Sequence, residues 1–231
     1  MKIIRPRLNA HRFLRILATI VIGYLVFLYF TLPGPSIITL QDHPPSMSSL
    51  MRIRWEEAGG DMNIQYHYVP LDRISKNFVR AVIAVEDGGF YRHSGIDYDA
   101  LERAYKRNLR SGRVRFGGST ITMQLAKNLF LSNDRSYIRK VKEAVITLRL
   151  ERYLSKKRIL ELYLNVIELG PGIFGVEAAS QHYFHKPAAH LTKDESIRLA
   201  AIIASPLRHS PFEESRFMSI RKNIILRKIG G

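Results

Sequence analysis

Between Arg139 and Asn165 the chain reads RKVKEAVITLRLERYLSKKRILELYLN, and this stretch decides the fold class. Val141, Val145 and Leu148 recur at the spacing of one helical face, while Ile146 and Leu150 line the other side. A helix apolar on two sides is a buried one. Lys156 to Asn165 forms the next helix. Working outward, the same period returns on the N-terminal side. Ile74, Phe78, Val82 and Val85 form a stripe behind a cap expected at Asp72, and the run stops at Gly88-Gly89. Ala100, Leu101, Ala104, Tyr105 and Leu109 make a second stripe, and a third helix begins near Ser119-Thr120. On the C-terminal side, Thr192-x-x-Glu195 is a capping box that opens the helix ESIRLAAIIAS. Only Tyr66 to Val69 reads as a short strand. The prediction is a mainly α protein.

The N-terminus adds a separate element. Ile16 to Leu32 (ILATIVIGYLVFLYFTL) are seventeen residues without a charge, about 25 Å of helix against a hydrocarbon core of about 30 Å. Lys2, Arg5, Arg7, Arg12 and Arg15 precede this run, and no acid appears before Asp42. That asymmetry places the N-terminus in the cytoplasm and the remainder outside. A cleaved signal peptide is the alternative. Against it, the run is longer than a usual signal core and Pro33-Gly34-Pro35 replaces a small-residue cleavage site. The expected divisions are a basic cytoplasmic arm (1–15), a transmembrane anchor (16–32), a Pro- and Ser-rich linker (33–49) and a catalytic domain (50–231).

The formal charge of +16 and pI near 10.2 call for a polyanionic partner. Without the arm's five basic residues the outer part still carries +11. An extracytoplasmic domain does not meet nucleic acid, so anionic lipid headgroups and lipid pyrophosphates are the better candidates. The chain has no cysteine, which excludes disulfides and thiolate metal sites.

Three segments could carry chemistry. In Glu86-Asp87-Gly88-Gly89-Phe90-Tyr91-Arg92-His93-Ser94-Gly95 a carboxylate ends an apolar helix. Partial desolvation there favours its neutral form, as a general acid or base requires; a solvated Glu-Asp pair is the plain alternative. In Gly117-Gly118-Ser119-Thr120-Ile121-Thr122-Met123-Gln124-Leu125-Ala126-Lys127-Asn128, the residues Thr120, Gln124 and Lys127 share one helical face. Glycines before a helix start, with hydroxyls and a lysine on one face, suit anionic oxygens; a structural cap explains them equally well. The Walker order is missing. The basic loop Arg110 to Gly118 precedes that helix. In Arg139-Lys140-Val141-Lys142-Glu143, Arg139 pairs with Glu143 at helical spacing. Glu143 shares its side with Ile146 and Leu150, and a carboxylate on an apolar face is costly unless paired or functional.

These segments, with Lys157-Arg158-Ile159-Leu160-Glu161-Leu162-Tyr163-Leu164-Asn165 next in order, resemble glycosyltransferase family 51. They match its E-D-x-x-F-x-x-H-x-G, G-x-S-T-I-T-x-Q-x-x-K-N, R-K-x-x-E and K-x-x-I-L-E-x-Y-L-N patterns. Leu199 to Pro206 is a looser fifth match. The resemblance spans about Leu71 to Pro211, and the short anchored chain looks like the monofunctional biosynthetic members. Met123 departs from the Gln common at its position.

The resemblance implies a lysozyme-like helical domain that polymerises lipid II into uncrosslinked glycan strands, serving peptidoglycan synthesis, cell-wall biogenesis and cell shape. It implies Glu86 as the base that deprotonates the acceptor 4-hydroxyl, with inversion at the donor C1 and loss of undecaprenyl pyrophosphate. Glu143 carries over as the second essential carboxylate. Lys127, Arg139 and Lys140 carry over as pyrophosphate ligands, Ser119, Thr120, Gln124 and Asn128 as polar contacts, and Asp87, Phe90 and His93 as shapers of the site. No cofactor is required by the sequence; a divalent cation, Mg or Mn, stays open. Expected partners are lipid II, the growing strand, the membrane and other cell-wall synthesis proteins. The expected location is the bacterial inner membrane, crossed once, with the catalytic domain in the periplasm.

Other patterns compete less well. Asp97-Tyr98-Asp99 imitates a nucleotide-sugar site, but no strand precedes it and a helix cap fits better. His182, His185 and His190 lack a carboxylate at ligand spacing. Ser219-Ile220-Arg221-Lys222 imitates a transpeptidase S-x-x-K without room for its partner motifs, so no transpeptidase domain is expected. The rival functions are a lysozyme-like hydrolase or lytic transglycosylase, and a non-catalytic anchored scaffold. Basic segments beside the carboxylate favour a transferase that must hold a pyrophosphate, since a cleaving enzyme handles neutral leaving sugars.

Overall fold

The structure is a computed structural model that describes residues 10–32, 34–112, 117–134 and 136–230. Lys2, Arg5 and Arg7 of the basic arm, Pro33, and Arg113 and Arg115 of the basic loop lie outside the described residues.

As the hydrophobic periodicity predicts, the described chain is mainly helical. Helix α1 (Ala10–Thr31) is followed by short α2 (Gly34–Thr39), α3 (Ser49–Glu57), α4 (Lys76–Glu86), α5 (Tyr98–Ser111) and α6 (Ile121–Phe130). Next come α7 (Tyr137–Tyr153), α8 (Lys156–Val166), α9 (Val176–Phe184), α10 (Lys193–Ile202) and α11 (Arg216–Ile229). Short polar side chains start most of them by accepting the backbone N–H two or three residues on: Ser48, Ser75, Asp97, Thr120, Ser136, Ser155, Thr192 and Ser215. The cap expected at Asp72 is Ser75 instead. Asp72 sits in a 3-10 turn, Leu71–Arg73, just ahead of the helix.

Two groups of helices meet around the site. In one, α4, α10 and α11 pack together; in the other, α6 packs on α7 and α8. The centre is α8, where Ile159, Leu160, Leu162, Tyr163 and Leu164 are all fully buried. A small sheet borders it. β1 (Gln65–Tyr66) pairs in parallel with β3 (Ile173–Phe174), and β3 pairs antiparallel with β2 (Glu168–Gly170). Of the strand expected at Tyr66–Val69 only Tyr66 is in β1, and residues 67–69 lie outside it.

Helix α1 is long and apolar enough to cross a membrane and is almost wholly exposed along its length. Its 22 residues correspond to roughly 33 Å. It starts well before Ile16 and takes in Arg12 and Arg15. The Pro- and Ser-rich stretch 33–49 is more than a connector. Ile37 is fully buried and Leu40 nearly so, both within the main core. Arg158 Nε donates to Leu40 O at 2.7 Å. Arg149 ties α1 itself to α7. Its Nη1 donates to Tyr29 O at 2.5 Å and Leu32 O at 2.6 Å, and its guanidinium lies 4.9 Å from the Tyr29 ring centre. The last carbonyls of a helix have no intrahelical donor, and Arg149 supplies one here.

Two apolar stripes differ from the sequence reading. On α5 only Ala104 is buried, and Leu101, Tyr105 and Leu109 are exposed. On α7 Val145 is buried, whereas Val141 and Leu148 are exposed towards α1.

Candidate active site

Glu86 is the last residue of α4, and its carboxylate is held from two sides. Gln124 Nε2, one turn into α6, donates to Oε2 at 2.9 Å. Arg221 Nη2, from α11, donates to Oε1 at 2.8 Å. The Glu86 side chain is only 13% exposed and Arg221 19%, so this pair sits behind little water. The bare carboxylate expected at an apolar helix end is thus a paired one. Gln124 is itself oriented: Tyr163 OH donates to its Oε1 at 2.9 Å, which turns the amide nitrogen towards Glu86. Burial pushes the Tyr163 hydroxyl well above its ordinary pKa, with the charges of Glu86 and Asp87 adding to it. Tyr163 therefore remains a donor.

Asp87 faces inward. Its Oδ2 accepts Ile121 N at 3.0 Å, at the start of α6, and its Oδ1 accepts His93 Nε2 at 2.9 Å. His93 Nδ1 accepts Gly95 N at 3.1 Å, which leaves the proton on Nε2. Phe90 is fully buried, with Lys156 Nζ 4.6 Å from its ring centre. Asp87 and His93 therefore lock the loop after Glu86 onto α6 with Phe90 buried beside them, and Asp87 also borders the cleft in front of Glu86. Thr120 is likewise a structural cap: its hydroxyl donates to Gly95 O at 2.6 Å and accepts Met123 N. Asn128 is buried on α6. Asp97 caps α5 by accepting Ala100 N at 2.7 Å.

A cleft of about 810 Å3 opens in front of Glu86. Arg80, Arg92, Arg103, Arg107 and Lys228 line it together with Glu86, Asp87 and Asp97, so cations outnumber carboxylates in its wall. Gly118 lets two walls approach, since a side chain there would meet Leu101 at 2.7 Å. Ser119 lines the cleft and accepts from Lys140 Nζ at 3.3 Å. Through that contact the cleft continues into a second cluster.

This cluster is built on α6 and α7. Glu143 is 2% exposed. One of its oxygens accepts Arg139 Nη1 at 2.6 Å and the other accepts Lys140 Nζ. Arg139 Nε is also fixed, on Asp134 O at 2.6 Å. Glu143 is therefore a buried counter-ion shared by two cations. Lys127 shares their field. Burial lowers its pKa below the ordinary lysine value; Glu143 raises it in part, and Arg139 and Lys140 lower it again. Among the described residues, the Lys127 ammonium has no hydrogen-bond or ion-pair contact, and Glu143 and Glu168 act on it only through their charge. A half-buried ammonium without a carboxylate in contact is a place for an anion.

Residues 56–230 match the family described as Transglycosylase. The chain belongs to the transglycosylase family. A "Biosynthetic peptidoglycan transglycosylase" of Herminiimonas arsenicoxydans is 46% identical over all of this chain and 98% of its own length. Proteins of the same name from Janthinobacterium sp. (strain Marseille) and Neisseria gonorrhoeae are 43% and 42% identical. They cover 99% and 95% of this chain, and 97% and 95% of their own lengths. Membership in the transglycosylase family agrees with the mainly helical, lysozyme-like domain expected from the motifs.

In this transglycosylase the residues singled out in the sequence fall into two neighbouring groups, and two further side chains, Tyr163 and Arg221, hold Gln124 and Glu86. Tyr163 stands inside a quoted motif without a role, because its hydroxyl acts through Gln124. Arg221 carries no local signal at all; its neighbours Ser219 and Lys222 pointed to different chemistry. Among the described residues, one group of His and carboxylates comes close enough for a metal: Asp87, His93 and Asp97. Their polar atoms already make the hydrogen bonds given above, and His93 Nδ1 faces Gly95. His182, His185 and His190 do not belong to it.

Proposed function

We propose that this transglycosylase is a membrane-anchored peptidoglycan glycosyltransferase that joins lipid-linked disaccharides (lipid II) into uncrosslinked glycan strands. The observation that carries the reading is the pairing of two unlike sites across Ser119. On one side is a carboxylate at the floor of a cleft; on the other is a cation cluster with a free ammonium. Glycosyl transfer from a lipid pyrophosphate needs both.

In this mechanism Glu86 accepts the proton of the acceptor sugar's 4-hydroxyl. The oxygen attacks C1 of the donor from the face opposite its pyrophosphate, so the new C–O bond forms as the old one breaks and the configuration inverts. The bonding pair leaves on the pyrophosphate oxygen, where Lys127, Arg139 and Lys140 stabilise the charge. Ser119 stands between the two halves as a hydroxyl contact. Gln124 and Arg221 hold Glu86 in place, and Glu143 holds Arg139 and Lys140. No cofactor enters these steps. Helix α1 would be the anchor, with the basic arm in the cytoplasm and the domain on the periplasmic side of the inner membrane. Other cell-wall synthesis proteins are candidate neighbours there.

The test is incubation of the full chain with purified lipid II in liposomes. The expected result is polymer of inverted anomeric configuration and one undecaprenyl pyrophosphate released per bond formed. Shortening of preformed glycan, or no change in either substrate, would overturn the reading.

A further inference from the structure

Between α1 and α7 runs an open groove of about 670 Å3. Ile22, Leu25, Val26 and Phe30 wall one side, and Val141 and Leu148 the other. These side chains are exposed, Ile22 to 61% and Leu148 to 49%. Exposure alone assigns nothing here, because lipid tails cover an anchor helix as well as protein does. Two further observations point to a particular occupant. Lys140 also lines the groove, and its Nζ bonds Ser119 and Glu143. The same ammonium therefore belongs to an apolar groove and to the cluster that faces an anion. The other observation is Arg149, which binds two carbonyls at the outer end of α1 and fixes it on α7. The groove is thus held as part of the domain and is not left to chance contact with an independent helix.

From this juxtaposition we propose that the α1–α7 groove seats the proximal part of the polyprenyl chain of the lipid pyrophosphate, with Lys140 at the junction of chain and headgroup. The inference rests on the reaction above, which must bring a pyrophosphate to Lys127, Arg139 and Lys140 in every cycle. A chain attached to that pyrophosphate has to depart from the same place, and the groove begins there. The chain is already in an apolar medium, so the groove adds little affinity by removing it from water. What it supplies is orientation, directing the headgroup onto the cations.

The probe is an undecaprenyl pyrophosphate carrying a diazirine in its first isoprene units, added to the full-length protein in phosphatidylcholine liposomes. Attachment sites are mapped by mass spectrometry. Label should fall within residues 22–30 and 137–148. Unlabelled undecaprenyl pyrophosphate should compete it away, and an equal amount of phosphatidylglycerol should not. Ala144→Trp, which fills the groove from α7, should weaken labelling. It should also raise KM for lipid II by roughly three- to tenfold, a packing-sized effect. Its turnover of a donor whose pyrophosphate carries a methyl group in place of the polyprenyl chain should match the parent. Leu148→Trp, on the exposed wall, should behave alike and guards against a fold defect at Ala144.

Label spread along all of α1, or competed equally by phosphatidylglycerol, would mean an ordinary lipid annulus and would overturn the proposal. So would variants that slow both donors to the same degree. Wild-type protein that takes the label in the groove yet polymerises neither donor would refute the proposed reaction and leave the groove standing.

Discussion

Arg221 and Glu86 stand 135 residues apart in the chain and 2.8 Å apart in the fold. Helix α11 brings the guanidinium to one carboxylate oxygen while α6 brings Gln124 to the other, so the proposed base is fixed by the packing of three helices. Arg221 also donates to Ala201 O on α10 at 3.3 Å, which ties its position to that helix as well. Arg221→Met should lower kcat by roughly tenfold to a hundredfold with little change in lipid II binding, since it removes the positioning of the base. Glu86→Gln should abolish polymerisation while lipid II still binds and the circular dichroism spectrum is kept. Substantial polymer from Glu86→Gln would move the base to another residue.

Lys127 makes activity and stability pull in opposite directions. Its depressed pKa in the fold means that the folded state holds the proton less well than the unfolded chain does. Folded stability from this group is therefore lowest below its folded pKa, where both states hold the proton. It rises as pH climbs from the folded pKa towards the ordinary lysine value of about 10.4. Lys127→Met removes that burden and should raise Tm slightly at neutral pH, with the gain shrinking at alkaline pH. The same variant should lose at least ~10²-fold in rate if the ammonium meets the departing pyrophosphate. In the parent, activity should decline at lower pH than the titration of an ordinary lysine. Thermal melts and pH–rate curves on both proteins check this; a variant near parental turnover would clear Lys127 of the assignment.

Glu143 should behave as a buried counter-ion. Glu143→Gln keeps the shape but leaves Arg139 and Lys140 without their partner. Lys140 is about half exposed and Arg139 partly so, which softens the loss to about 1–3 kcal/mol of stability. The domain should stay folded in urea titration, and KM for lipid II should rise as the cations lose their aim. A variant with unchanged KM and a defect confined to proton transfer would place Glu143 among the reacting groups instead.

Arg149 and the anchor should matter only where there is a membrane. Deleting residues 1–32 removes both carbonyls that Arg149 binds but leaves Ile37 and Leu40 in the core. The truncated domain should fold and should be weaker on bilayer-embedded lipid II, because the tether no longer concentrates it beside its substrate. Arg149→Ala in the full chain should show a milder defect of the same kind, seen in liposomes and absent in detergent micelles. Equal activity of all three proteins on liposomes at low enzyme concentration would contradict this.

The sequence alone specifies the helical class, because apolar period and cap residues are local. Ser155 and Thr192 accept N–H groups only three residues away, and such contacts form whatever the rest of the chain does. It also determined the pairing within α7, since Arg139 and Glu143 are one turn apart on any helix. The cap expected at Asp72 is Ser75, as both residue types serve and only the packed 3-10 turn decides which one stands at the helix start. Tertiary structure alone decided which apolar faces are core. Ile37 in the presumed linker is buried, whereas Leu109 on a regular stripe is 63% exposed, because burial depends on what else arrives at that face. It alone decided that Asp87 holds the start of α6 and that Thr120 holds Gly95, because a side chain's partners are set by neighbours distant in sequence. The placing of Arg221 on Glu86 and of Arg149 on α1 belongs to the same class: both contacts join segments more than a hundred residues apart, and no local pattern encodes a distance that only the fold closes.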